Sequence, residues 1–207
     1  MFKKVFAVLL TAVMVFSFAG CKPMEPAETS VTNYLNAIKA QDQETIAKYT
    51  GAEYDASAEE EVTDDFSQYM VDELLGNMAY EIISSEEAEE TAAVTVAFTN
   101  VNMTVVMSEV FAEAFSLIFA DMTDEELNTA MQGFFVTAME NHQADVVTKE
   151  VTLELTKGET HWIITPTAEM MDAAIGGLTS ALIVYSSASV ICHIFLYLFL
   201  SVLLFLL

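Results

Sequence analysis

The chain has 207 residues, 31 Asp and Glu against 7 Lys and Arg, and a formal net charge of −24, yet 54% of it is hydrophobic and its mean hydropathy is +0.42. Arg is absent and phosphate backbones repel such a charge, which argues against nucleic-acid binding and against Arg-clamped phosphate recognition. Phe, Met, Val and Ile run through the acidic part, which argues against disorder.

The charge is segregated. All 31 acids lie between Glu25 and Asp172, while the first 20 residues carry only Lys3 and Lys4. Five lysines (Lys22, Lys39, Lys48, Lys149 and Lys157) oppose the 31 acids, so the middle of the chain stands at −26. Residues 1–20 have the three parts of a secretory signal: Lys3 and Lys4 as the positive region, an apolar stretch Val5 to Phe18 broken by Thr11 and Ser17, and the small pair Ala19-Gly20. The sequence Phe18-Ala19-Gly20-Cys21 resembles the lipobox of bacterial exported lipoproteins, with Phe where that family usually carries Leu. The resemblance implies a diacylglyceryl group on the Cys21 thiol and cleavage just before it. The competing reading is an uncleaved signal anchor with an incidental cysteine. Lys22 to Pro26 reads as a short tether, 21–26 in all. The only other cysteine is Cys192, so no disulfide framework is expected.

Residues 27–180 read as one acidic domain, long enough for its own core. Val31, Tyr34, Leu35 and Ile38 predict a helix over 26–40, and a second short helix over 43–49 stops at Gly51. Residues 53–65 read as an acidic surface loop, and 66–76 as a helix. The period then changes: 80–84 reads as a strand, Glu86 to Glu90 as a charged turn, and 92–98 as a half-buried strand with Ala92, Val94, Val96 and Phe98 on one face. An apolar helix follows Asn100, and Thr123 to Glu126 is a capping box that opens another, with Leu127, Met131, Phe134, Phe135 and Ala138 on its apolar face. These two helices are expected to pair as an αα-hairpin. Val151, Leu153 and Leu155 alternate with polar residues, Lys157-Gly158-Glu159 reads as a turn, and 161–165 returns as the partner strand. Thr165-Pro166 is expected to start a last helix that ends at Gly176-Gly177.

Runs of helices and antiparallel hairpins without βαβ alternation define an α+β class. The opening Ser30 to Tyr49 and the late segment Gly158-Glu-Thr-His-Trp-Ile-Ile are similar to NTF2-like domains of small exported lipoproteins of Gram-positive bacteria, many of them domains of unknown function. The resemblance implies a curved antiparallel sheet wrapped around a helix with a cone-shaped pocket. The helix pair within 102–141 departs from that pattern as an insertion.

Catalytic motifs are sparse. His142 and His161 are the only histidines of the domain. Glu140, His142 and Asp145 cluster near a helix end, but no HExxH and no EF-hand pattern occurs, so a polar helix terminus rather than a metal site is expected. His161 flanks Trp162 in a hairpin and reads as an edge histidine rather than an acid–base catalyst. No GxSxG or domain cysteine nucleophile occurs. No catalytic, metal-binding or cofactor-binding residue is therefore expected, and no cofactor. The acidic runs read as solvated loops. Met103, Met107, Met122, Met131, Met139, Met170 and Met171 read as core or as an adaptable groove.

Residues 181–207 carry no formal charge and are long enough for a transmembrane helix. The competing reading is a frameshifted end. The expected partners are membrane lipid, through Cys21 and the C-terminal segment, and either a small ligand or an envelope protein. The sequence thus predicts a non-enzymatic lipoprotein on the extracytoplasmic face of the cell membrane. An assembly role through helix packing and an enzyme with an NTF2-like pocket are the alternatives.

Overall fold

A computed structural model describes residues 23–56, 64–117 and 120–186. Cys21, the signal region and the C-terminal segment beyond Ser186 lie outside the described residues. The domain is α+β, with seven α-helices and one four-stranded antiparallel sheet among them.

Helix α1 (Ala27–Ala40) buries Val31, Tyr34, Leu35 and Ile38, the stripe that its spacing predicts. Gln41, in the left-handed region at φ 56°, ends it, and Asp42 caps α2 (Gln43–Thr50) by accepting from the Thr45 amide. Gly51, at φ 71°, ends α2. Asp64 caps α3 (Asp65–Gly76) through the Ser67 amide. Each turn thus supplies the residue type that satisfies orphan backbone groups at a helix end.

Strands β1 (Ala79–Glu87), β2 (Thr91–Val101), β3 (Val146–Lys157) and β4 (Trp162–Ile164) pair in the order β1-β2-β3-β4. The two expected hairpins are one sheet, because β2 and β3 pair along their whole length, from Thr91 opposite Thr156 to Val101 opposite Val146. The end of β1 also differs. β1 continues through Glu86 and Glu87, paired with Ala93 and Ala92, so the charged turn shrinks to 88–90. A bulge at Ile83 shifts the register of this edge strand between Ile82 and Ser84.

Helices α4 (Met103–Phe115) and α5 (Asp124–Asn141) are inserted between two neighbouring strands. They leave from Val101 and return to its partner Val146, where the Asn102 amide donates to the Asp145 carbonyl at 2.7 Å. The excursion therefore costs the sheet no register. The two helices pack on each other as the expected hairpin, and Thr123 and Glu126 form the predicted capping box. Most apolar positions of α4 serve the fold: Met103, Val106, Met107, Val110 and Ala114 are buried, while Phe115 is 63% exposed.

One face of the sheet carries Ala92, Val94, Val96, Phe98, Val151, Leu153 and Leu155, all buried and continuous with the stripe of α1. The opposite face is polar. Thr95 bonds Thr152 and Thr99 bonds Thr148 across the strands, with Glu81, Glu150 and Glu154 exposed beside them. Met103, Met107, Met131, Met139 and Met170 are buried core, Met171 packs against it and Met122 is exposed.

Helix α6 (Ala168–Ala174) starts later than its expected Thr165-Pro166 opening. Thr167 is the cap, its hydroxyl accepting from the Met170 amide, and Pro166 precedes the helix. Gly176 and Gly177 both adopt positive φ, and a Cβ on Gly176 would overlap the Val101 carbonyl oxygen. Helix α7 (Leu178–Ser186) then packs on α4 and α6, with Leu178 and Ala181 buried and Ile183 and Val184 exposed. No helix among the described residues is long and apolar enough to cross a membrane. The expected transmembrane segment falls almost wholly outside them.

Candidate functional site

The predicted lipidation site, Cys21, lies outside the described residues, but the chain that follows it is fixed by a cluster of polar groups. Met24 packs against the hydrophobic core. The Glu25 amide donates to the Thr160 carbonyl at 2.9 Å. The Asn33 amide group, on α1, donates to Glu25 Oε1 at 2.6 Å and to the Tyr49 hydroxyl oxygen at 2.9 Å. The Tyr49 hydroxyl, from α2, donates to Glu25 Oε2 at 3.1 Å. Both carboxylate oxygens of Glu25 are therefore held, from two helices.

Tyr49 is itself well placed to hold them. Its ring is buried, edge-on to His161 at 5.0 Å, with Lys48 Nζ 4.6 Å from its centroid. His161 Nε2 lies 3.0 Å from the Lys48 carbonyl oxygen. A carbonyl only accepts, so the proton sits on Nε2. His161, in the turn before β4, thus braces the end of α2.

Pro26 stands at the N-cap of α1 without a side-chain acceptor, and Glu87 replaces one. Its carboxylate accepts from the Ala27 amide at 2.6 Å, putting a negative charge at the positive end of the helix dipole. This explains why β1 continues into the acidic run. The cluster gathers Glu25, the start of α1, the end of α2 and both sheet turns at one end of the domain.

A second cluster lies at the other end of the sheet. His142 Nδ1 is 2.7 Å from Asp145 Oδ2, and Nε2 is 2.7 Å from Glu109 Oε2. Neutral imidazole has one N–H and can donate to only one of the two carboxylates, so this arrangement favours the protonated ring. The hydrogen bond to Asp145 raises the His142 pKa; partial burial opposes this, and Glu109 adds to the rise. The group differs from the expected one: Glu109 of α4, not Glu140, joins His142 and Asp145. The carboxylates approach opposite ring nitrogens, so they do not converge on one point. Among the described residues no group of three or more His, Cys, Asp or Glu is arranged to hold a metal ion.

The third cluster had no motif to announce it. Asp172 is 8% exposed. It accepts from Lys149 Nζ at 2.9 Å, from the Ser180 hydroxyl at 2.7 Å and from the Ser180 amide at 3.0 Å. Burial by itself raises its pKa, but the hydrogen bonds from Ser180 and Lys149 outweigh burial and hold the carboxyl below its usual range. The carboxylate so fixes the start of α7 against β3. Asn100, also buried, donates to the Leu74 and Ala174 carbonyls and accepts from the Val101 amide.

No protein-family model, curated protein or solved structure matches this chain.

Proposed function

We propose that the chain is an exported bacterial lipoprotein, acylated on Cys21 and held on the extracytoplasmic face of the cell membrane. Its acidic domain, in this reading, binds a small ligand or an envelope partner without catalysis. The observation that carries the proposal is the ordered signal: Lys3 and Lys4, the apolar run, then Phe18-Ala19-Gly20-Cys21. The position of Glu25 supports it. Met24, three residues beyond Cys21, already packs against the hydrophobic core, and Glu25 is held by hydrogen bonds beside it.

An NTF2-like architecture is the finer fold reading. The antiparallel sheet with a bulged edge, and α1 against its apolar face, support it. The non-catalytic reading is supported by how the titratable groups are used. Both nitrogens of His142 hold carboxylates, His161 Nε2 holds a backbone carbonyl, and Asp172 holds Lys149 and Ser180. The C-terminal 181–207 is read as a second membrane-directed segment that begins within α7.

Inhibition of lipoprotein signal peptidase by globomycin tests the proposal. Accumulation of the diacylated precursor is expected. Processing that ignores the inhibitor would contradict it.

A further inference from the structure

The lipid anchor and the folded domain are separated by almost no free chain. We infer that the end of the domain carrying the β1–β2 turn (Ala88–Glu90) and the β3–β4 turn (Gly158–His161) is held against the lipid headgroups. This rests on the lipoprotein reading of Cys21 and adds to it a defined membrane-facing surface.

Four observations converge on that end. Met24 is packed on the core, so only Lys22 and Pro23 separate the acylated residue from the fold. Three Cα–Cα steps reach at most about 11 Å, and Pro23 fixes one of the backbone angles. The Glu25 amide is bonded to Thr160 in the β3–β4 turn. The Glu25 carboxylate is held by Asn33 and Tyr49. The first amide of α1 is capped by Glu87, at the edge of the β1–β2 turn. Glu25, the helix start and both turns are therefore joined by hydrogen bonds.

The electrostatics make this consequential. Glu86, Glu89, Glu90 and Glu159 are exposed at this end, with Lys48 and Lys157 as the nearby cations. A freely jointed tether would let so acidic a surface stand off from anionic headgroups by more than the Debye length of about 8 Å at physiological salt. The short, clasped tether prevents it. The opposite end of the sheet, where Val101 meets Val146, lies ten residue steps along β2, about 33 Å away.

The test uses the full lipidated chain with Cys192→Ser, reconstituted in phosphatidylcholine vesicles containing a headgroup quencher. A fluorophore is placed at Glu89→Cys or, at the far end, at Gln143→Cys. Quenching several-fold stronger at 89 than at 143 is expected. Inserting eight Gly/Ser residues between Lys22 and Pro23 adds an r.m.s. reach of about 16 Å and is expected to abolish the excess at 89. Tyr49→Phe, which keeps the ring and removes one hold on Glu25, is expected to lower that excess by a smaller factor. Equal quenching at the two positions, or quenching at 89 unchanged by the insertion, would overturn the inference while leaving lipidation intact. Co-flotation with the vesicles, scored separately, reads lipidation itself: a chain that does not float overturns both.

Discussion

At the scale of single residues, the polar side chains of this domain act mainly as fasteners between elements. Asn100 is the deepest example. Its amide nitrogen bridges the Leu74 carbonyl at the end of α3 and the Ala174 carbonyl at the end of α6. Both carbonyls are last-turn acceptors without an intrahelical donor. Asn100→Ala should therefore cost about 3 kcal/mol, since buried acceptors left unsatisfied cost about 1–3 kcal/mol each. Urea unfolding checks this, and a loss below about 1 kcal/mol would show that water or a shifted backbone replaces the amide.

His142 makes a pH-dependent fastener. Its folded pKa lies above the unfolded value of about 6.5. Its contribution to stability is then fully present below about pH 6.5 and fades as pH rises through the folded pKa. The stability difference between the wild-type protein and His142→Gln should shrink on going from pH 6 to pH 9. A difference that stays constant over that range would mean that the ring acts through packing rather than charge. Tyr34 shows the opposite use of burial: its phenol is pushed up to about 12 by desolvation and stays neutral through this window.

At the scale of elements, the ends of helices and strands carry much of the specification. Thr123→Ala removes one half of the capping box of α5 and should cost about 1 kcal/mol. Two glycines make a sharper contrast. Gly133 lies inside α5 with open space around its Cα, so Gly133→Ala should stabilise by about 0.5–1 kcal/mol. Gly176 combines φ +67° with the Val101 carbonyl in its path, so Gly176→Ala should destabilise by more than 2 kcal/mol. Melting temperatures of the pair should move in opposite directions; a neutral Gly176→Ala would contradict the close approach of this turn to β2.

These same features decide what could be read in the chain. The stripe of α1, the alternation of β2 and the Thr123 cap were legible, because period and capping chemistry are local. The pairing of β2 with β3 was not, because 44 residues of helix hairpin and turn separate Val101 from Val146 and leave no local trace of register. The extra length of β1 was hidden because Glu86 and Glu87 resemble turn residues. Only the remote capping of α1 by Glu87 shows why they continue the strand. The polar clusters were partly legible: His142 and Asp145 are three apart, whereas Glu109 arrives from another helix. Glu25, Asn33, Tyr49 and the Asp172 group carry no sequence motif, since each bond there joins separate elements.

At the scale of the whole molecule, charge and hydropathy are segregated along the chain. Among the described residues, exposed acids stand on loops, at helix starts and on the open face of the sheet, where Glu81, Glu150 and Glu154 are exposed. The apolar excess sits in residues 1–20, in the core and in residues 181–207. Such a charge is repelled by anionic lipid, so in the proposed reading the acyl group on Cys21 and the apolar C-terminal segment, not the surface of the domain, would bring it to the membrane.

The proposed acyl group on Cys21 would give the mature chain a defined mass. An intact-mass measurement of the membrane-purified mature chain tests it most directly. Lipidation of Cys21 predicts a chain that begins at Cys21 and carries the mass of a diacylglyceryl group on its thiol. A mature chain that begins elsewhere, or that retains residues 1–20 with Cys21 unmodified, would contradict it.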